Sequence, residues 1–218
     1  MLTDLLRWGG KRPEPLDGSG DAPAPRGMEP AVQSKALPKF LTAIGQQPGA
    51  PVIIDLGPVI GSNVAFFGER LGCKLFIEDL FADYDSHARA GTLTELPAAI
   101  ESRFRHADGS VDGVLCWDFF DFLDKPAALA LARQIARMLR PDGAVMAFFT
   151  TAGVERAAFT KYEVVDDDSL RHRQHPGSGG RTYVLQNRDI LTMFEGLVVS
   201  DSFLLKSSTR EILLRRGT

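Results

Sequence analysis

The sequence VIIDLGPVIGSN, residues 52–63, decides the fold, because an apolar run ends in an acid and then enters a loop with two glycines. The acid is Asp55, and the glycines Gly57 and Gly61 stand four positions apart. Glycine is needed where the backbone turns sharply beside a ligand, since a Cβ atom would obstruct the approach or φ must be positive. The stretch therefore predicts a buried strand followed by a ligand-binding loop.

Segments with strand and helix character alternate after this loop. The predicted strands are CKLFIEDL at 73–80, VDGVLCWDFF at 111–120 and AVMAFFTT at 144–151. The predicted helices are SNVAFFGERLG at 62–72, LPAAIESRF at 96–104, KPAALALARQIARMLRPDG at 125–143 and NRDILTMFEGL at 187–197. This alternation predicts an α/β fold with a mainly parallel sheet and helices on both faces. VVSDSFLLKSS and TREILLRR predict a C-terminal antiparallel strand pair, and no convincing third strand precedes Asp112.

Composition divides the 218 residues into a leader and one domain. Residues 1–30 are rich in glycine, proline and charge, which predicts a flexible leader because such a segment buries too little apolar area to become ordered. Residues 31–218 are predicted to form a single domain. It begins with an entry helix at 31–46, in which Pro38 confines regular helix to its flanks, and it carries a polar insert at 160–188.

Charge, hydropathy and cysteine content narrow the expected partners. The net charge is −3 and the pI is about 5.8, so no strong field attracts nucleic acid or an anionic membrane. No run approaches the roughly 18 apolar residues of a membrane-spanning helix. Cys73 and Cys116 form no CxxC motif, so two buried thiols in a reducing, cytoplasmic compartment are expected. The expected ligand is a small molecule, and the oligomeric state is left open.

Two common glycine patterns do not fit the loop. The dinucleotide fingerprint G-x-G-x-x-G, started at Gly57, requires glycines where Val59 and Ser62 stand. The phosphate-loop pattern requires Lys-Ser or Lys-Thr after Gly61, and neither follows. The register therefore argues against a nicotinamide-dependent oxidoreductase, which we keep only as a third hypothesis.

A different pattern, acid-x-Gly-x-Gly-x-Gly, matches Asp55, Gly57 and Gly61 in register, with Val59 in place of the middle glycine. A second strand ends in Glu78 and Asp79, and DGSVDGVLCWDFFDFL and RMLRPDGAVMAFF follow in order. In these features, over residues 31–151, the chain resembles the class I, Rossmann-like, S-adenosylmethionine-dependent methyltransferases. The resemblance implies S-adenosylmethionine as cofactor and a small-molecule or protein side chain as methyl acceptor.

The resemblance also implies roles for individual residues. Asp55, Gly57 and Gly61 would bind the methionine end of the donor. Glu78 would hold the ribose hydroxyls, with its neighbour Asp79 as the alternative, and Asp118 would face the acceptor. No Asn/Asp-Pro-Pro-Tyr/Phe motif follows Trp117, so methylation of exocyclic base amines or glutamine is disfavoured.

The insert at 160–188 is the candidate substrate loop. Arg171 and Arg173 could clamp an anionic acceptor, and His172 or His175 could act as a base. The two histidines do not amount to a metal site without further ligands. A solvated, mobile hairpin is the alternative interpretation of the same residues.

A second function hypothesis comes from Val59 and the missing third strand. A noncatalytic protein of the same fold that binds a nucleoside or a partner protein would also tolerate both features. We expect Gly57, Glu78 and Asp118 to surround one cavity if the protein is an enzyme.

Overall fold

The computed structural model describes residues 29–152 and 155–217, so nearly all of the predicted leader lies outside the described residues. The strands are β1 Ala31–Gln33, β2 Val52–Asp55, β3 Lys74–Ile77, β4 Val111–Trp117, β5 Leu139–Thr150, β6 Glu155–Asp166, β7 Ser169–Arg181, β8 Leu197–Leu204 and β9 Thr209–Arg216. The α-helices are α1 Ala36–Gly45, α2 Gly61–Leu71, α3 Leu80–Ala90, α4 Leu96–Arg103, α5 Lys125–Met138 and α6 Asn187–Met193.

The main sheet has six strands in the order β3-β2-β4-β5-β9-β8. The first four are parallel, whereas β9 and β8 run antiparallel to β5 and to each other. This is the predicted Rossmann-like α/β fold with a C-terminal antiparallel strand pair, and that prediction is confirmed. Between β3 and β4 the chain forms α3, a 3₁₀ turn and α4, so β3 is an edge of the sheet.

Helices cover both faces of the sheet, as predicted. Helices α1 and α2 pack on one face, and α3 to α6 pack on the other. Ile53 and Ile54 in β2 are adjacent and point to opposite faces, yet both are fully buried. A strand that is covered on both sides has to be apolar at every position, which explains its continuous apolar run.

The entry segment differs from the prediction of one interrupted helix. Ala31–Gln33 form β1, which pairs with β7, and α1 then runs without a break from Ala36 to Gly45. Pro38 lies in the first turn of α1, where a missing backbone N–H removes no helical hydrogen bond. Helix α5 also differs from its prediction. It ends at Met138 rather than at Pro141, because β5 begins at Leu139.

The predicted insert forms the hairpin of β6 and β7, which joins β1 in a second, three-stranded sheet. One attachment of the hairpin is Asn63 in α2, which is 1% exposed. The Asn63 Nδ2 donates to the Tyr162 carbonyl at 2.8 Å, and its Oδ1 accepts from the Val164 N–H at 2.8 Å. Arg70 in α2 also donates to the Asp167 carboxylate at 2.9 Å. The hairpin is therefore docked on α2 rather than standing alone in solvent.

This docking also engages the side chains at the start of α2. The N-cap residue is Ile60, with no side-chain hydrogen bond, because Ser62 donates to Glu163 and Asn63 binds the hairpin backbone. Gly72 ends the helix at φ 60°, as predicted. Within the described part of the chain, no helix has the length and apolarity needed to cross a membrane.

The two cysteines differ in burial. Cys116 in β4 is fully buried, as predicted, and burial raises the pKa of its thiol well above the usual value. Cys73 is only partly buried because it precedes the edge strand β3. Both thiols are free.

Candidate functional site

Asp55 ends β2 and is enclosed by its own chain, with 1% of its surface exposed. Its Oδ1 accepts the Gly57 N–H at 2.8 Å and the Trp117 indole N–H at 2.6 Å. Burial raises the pKa of this carboxyl to about 6, although both hydrogen bonds act in the opposite direction. The acid therefore holds the loop and Trp117 together instead of facing an open pocket.

Trp117 is the residue of this region whose role the sequence did not reveal. It ends β4 at φ 50°, a left-handed conformation that is unfavourable for a bulky side chain. Its ring stacks on Tyr162 of the hairpin, with centroids 5.2 Å apart and planes 5° apart. Trp117 thus connects the acid of the loop after β2 to the hairpin. The sequence offers one signal for this role of Trp117, which is an aromatic residue at the end of a strand next to a glycine loop.

The two glycines of the loop stand in different surroundings. A Cβ on Gly57 would lie 2.8 Å from Trp117 Cδ1 and 3.1 Å from Asp55 Oδ1. A Cβ on Gly61, the first residue of α2, would meet nothing within 4 Å. Gly57 is therefore required by the close approach of Trp117, whereas the structure sets no steric requirement at Gly61.

We expect Gly57→Ala to lower the free energy of unfolding by about 1 to 3 kcal/mol, because the added methyl group overpacks the contact with Trp117. Gly61→Ala should leave it unchanged or raise it by about 0.5 to 1 kcal/mol, since alanine favours the helix. Urea unfolding of the two variants beside the wild type measures the difference. Equal effects at both positions would contradict the proposed Trp117 contact.

Val59, the departure from the family pattern, is 63% exposed. Its side chain points to solvent and does not fill the loop. This exposure argues against a narrowing of the donor site by the Val59 side chain.

The two acids after β3 have different partners. The Glu78 carboxylate lies 3.4 Å from Arg103 Nε and 3.7 Å from His106 Nε2, on the side of α4. Asp79 adopts φ 34° and caps α3, where its Oδ1 accepts the Ala82 N–H at 3.2 Å. Glu78 thus forms an ion pair with Arg103, whereas Asp79 turns toward the loop after β2.

A cavity of about 180 Å³ lies between that loop and the start of α3. Pro58 and Asp79 line it from the sheet edge, and Phe159 and His175 of the hairpin line it from above. Phe81, Ala82, Asp85 and Arg89 complete the lining. The expected convergence of Gly57, Glu78 and Asp118 does not occur around this cavity. Pro58 and Asp79, which directly follow Gly57 and Glu78 in the sequence, line the cavity instead. Gly57 packs under Trp117, and Glu78 turns toward Arg103.

The structure separates the three candidate catalytic residues. His172 and His175 are three positions apart in β7 and lie on opposite faces of the hairpin. The His172 ring contacts Tyr162 at a centroid distance of 4.9 Å, and burial lowers its pKa. Asp118 follows Trp117 directly and is 2% exposed. Of the three residues, only His175 lines the cavity beside Asp79.

The predicted arginine clamp is already engaged within the hairpin. Arg171 and Arg173 both form ion pairs with Glu163 on the facing strand. Desolvation raises the pKa of the Glu163 carboxyl, but the contacts with Arg171, Ser62 and Arg173 together outweigh it and lower the pKa. The two arginines therefore stabilise the hairpin in this conformation rather than presenting free cations. Among residues 29–152 and 155–217, no group of three or more His, Cys, Asp or Glu side chains could hold a metal ion.

No known protein family and no curated protein matches this sequence. Solved structures with a similar fold include the glycopeptide N-methyltransferase MtfA complexed with S-adenosyl-L-methionine, at 13% identity and a TM-score of 0.48, covering 84% of this chain and 93% of that one. The CcbJ methyltransferase from Streptomyces caelestis is 14% identical, covers 84% and 94%, and has a TM-score of 0.48. The Burkholderia thailandensis 1,6-didemethyltoxoflavin-N1-methyltransferase is 16% identical, covers 85% and 80%, and has a TM-score of 0.46. The similarity is one of fold.

Proposed function

We propose that the protein is an S-adenosylmethionine-dependent methyltransferase that acts on a small molecule or a protein side chain. The cavity between Pro58 and Asp79 is the observation that supports this function. It lies at the carboxyl ends of β2 and β3, and ligands of open parallel sheets bind at this edge.

The chemistry of the lining fits the parts of such a donor. The Asp79 carboxylate offers two acceptor oxygens to a ribose diol. Phe81 offers an apolar surface to a purine ring once the hairpin has moved. The backbone of the loop at Pro58 would face the methionine end. Asp55 is 1% exposed and hydrogen-bonded to Trp117, so it can reach the donor ammonium only if Trp117 moves.

The size of the cavity sets a condition on donor binding. Ligand cavities usually have volumes of about 300 to 1,000 Å³, and this one has about 180 Å³. Phe159 and His175 belong to the hairpin, whereas the opposite wall belongs to the main sheet and α3. Binding of a whole donor would therefore require the hairpin to move away from the sheet edge.

The bound donor would supply a methyl group on a sulfonium, and the chain would align the acceptor for an in-line displacement. A base is needed only where the acceptor has to lose a proton. We assign that role to His175, because it lines the donor cavity while His172 and Asp118 do not.

The ribose assignment can be tested with two neighbouring acids. Asp79→Asn should weaken S-adenosylmethionine binding by roughly 5- to 150-fold, the effect of losing about 1 to 3 kcal/mol of hydrogen bonding to a charged group. Asparagine still caps α3 and tolerates the left-handed backbone, so the fold should be kept. Glu78→Gln serves as the control and should leave the affinity unchanged. Isothermal titration with S-adenosylmethionine, S-adenosylhomocysteine and NAD gives the affinities.

Each alternative has its own result in these titrations. Loss of affinity in Glu78→Gln alone would return the ribose role to Glu78. Micromolar binding of NAD, together with no binding of S-adenosylmethionine or S-adenosylhomocysteine, would contradict the methyltransferase proposal. The absence of all nucleoside binding would contradict it as well.

A noncatalytic binding protein is the second candidate, favoured by the covered loop. Trp117 lies against Gly57 and stacks on Tyr162, and Asn63 fixes the hairpin backbone to α2. Incubation with methyl-labelled S-adenosylmethionine and an extract of the source cells separates the two functions. The enzyme should label a small molecule or protein, and Asp79→Asn should label less. Donor binding without any label would favour the noncatalytic protein.

A further inference from the structure

A second cavity, of about 460 Å³, lies between α5 and α6 and shares no lining residue with the donor cavity. Its volume falls within the range of about 300 to 1,000 Å³ that is typical of small-molecule sites. It lies on the face of the sheet opposite to α1 and α2. A ligand there would be separate from the methyl donor.

The lower part of this cleft is apolar. Ala128 and Leu129 of α5 face Leu185 and Met193 from the α6 side. Met193 is 7% exposed and Ala128 is 1% exposed, so both belong to the packed core as well as to the cleft. This lining suits a hydrocarbon or aromatic body.

Two cations stand at the mouth of the cleft. Lys125 and Arg188 line it, both are exposed, and neither forms an ion pair with any residue in the described part of the chain. Asp189 is the acid in the lining, and its Oδ2 accepts the Gln186 N–H at 3.0 Å. Two cations face this one acid, so the lining keeps a net positive charge.

The position of Lys125 runs against a local preference. It is the first residue of α5, whose first turn holds no acid. The helix macrodipole favours negative charge at this end and disfavours a cation. The N-cap residue Asp124 supplies the negative charge at this end, whereas the Lys125 side chain lines the cleft.

Local hydrogen bonds hold both walls of the cleft. The Asp124 side chain accepts the Ala127 N–H at 3.0 Å and fixes the start of α5. Gln186 and Asp189 form a reciprocal capping box at the start of α6. The Tyr183 N–H donates to the Asp121 carbonyl at 2.7 Å, which ties the segment before α6 to the 3₁₀ turn before α5. The cleft is thus largely preformed, which reduces the ordering cost of binding.

We propose that this cleft binds a small amphipathic organic anion. Its apolar body would lie on Leu129, Leu185 and Met193, and its carboxylate or similar headgroup would lie between Lys125 and Arg188. The compact cavity and the unpaired cations favour such a ligand over a protein segment. The proposal does not depend on methyl transfer.

Decanoate is the test ligand, and decylammonium, with the same chain and the opposite charge, is its comparison. We expect saturable 1:1 binding of decanoate by calorimetry, at least about tenfold tighter than that of decylammonium. The Lys125→Ala/Arg188→Ala double variant should bind decanoate at least about tenfold more weakly, since charge-assisted hydrogen bonds are lost. Thr192→Trp, an exposed substitution that fills the cleft, should also weaken binding.

The matched control is Arg105→Ala/Lys206→Ala, which removes two exposed cations elsewhere on the surface. It should bind decanoate like the wild type. Absence of saturable decanoate binding would overturn the proposal, as would equal affinity for decylammonium or an equal loss in the control. S-adenosylmethionine binding should be the same in the cleft variants and the wild type, so this result is separate from the test of the donor site.

Discussion

Replacing Phe159 by alanine is expected to lower the free energy of unfolding by about 3 to 5 kcal/mol, the usual cost of removing a buried phenylalanine ring. Phe159 is 2% exposed although it belongs to the hairpin and not to the main sheet. Its ring lies 4.7 Å from that of Phe81 and 5.0 Å from that of Phe122. A Cβ on Gly177 would lie 2.5 Å from the same ring, so the facing strand packs tightly on it.

Phe76→Ala is the matched control, because it removes the same side chain from a position that is 43% exposed. We expect a loss of about 1 to 2 kcal/mol there, since only part of the ring is buried. Urea unfolding measures both the midpoint and the m-value. A lowered midpoint at an unchanged m-value means that the hairpin unfolds together with the sheet. A loss at Phe159 no larger than that at Phe76 would contradict the docked position of the hairpin.

The same variant bears on the proposed donor site. Phe159 lines the cavity of about 180 Å³, and a whole donor needs more room than that. If the hairpin limits access, Phe159→Ala should bind S-adenosylmethionine at least as tightly as the wild type, in spite of its lower stability. Weaker binding would instead indicate that the Phe159 ring contacts the purine.

Local patterns were enough to predict the main sheet. The apolar run before Asp55 and the helical spacing of the apolar residues after Lys125 depend only on neighbours in sequence. Strand β2 formed as predicted, and α5 formed but ends at Met138. Helix α3 was missed because it is polar and mixed in composition, with only Leu80, Phe81 and Tyr84 buried. Its start depends on the Asp79 cap.

The candidate site depends on contacts between distant residues, which the sequence could not supply. Trp117 meets Asp55 across 62 positions, and this contact follows from the pairing of Asp55 with Leu115 in β2 and β4. The choice between Glu78 and Asp79 depends on where β3 ends, since adjacent side chains point in different directions. The strand ends at Ile77, and the left-handed backbone of Asp79 then directs its side chain toward the cavity.

Asp55 should make the stability of the protein depend on pH in a way that one substitution removes. The pKa of this carboxyl is about 6 in the folded chain and 3.8 in the absence of the fold. The folded state therefore binds the proton more tightly than the unfolded state does. The contribution of Asp55 to the free energy of unfolding is thus greatest below pH 4. As the pH rises through about 6 the carboxyl ionises inside the protein, and about 3 kcal/mol of stability is lost.

Asp55→Asn isolates this effect, because the asparagine Oδ1 can still accept the Gly57 and Trp117 N–H groups while the side chain no longer ionises. We expect the stability of the variant relative to the wild type to increase between pH 4 and pH 7, by up to about 3 kcal/mol. Glu95→Gln, at an exposed carboxylate, should follow the wild type throughout. Urea unfolding at half-unit pH steps gives the curves. A constant difference between Asp55→Asn and the wild type would mean that Asp55 is not buried by Trp117, and the closed conformation of the loop would then be wrong.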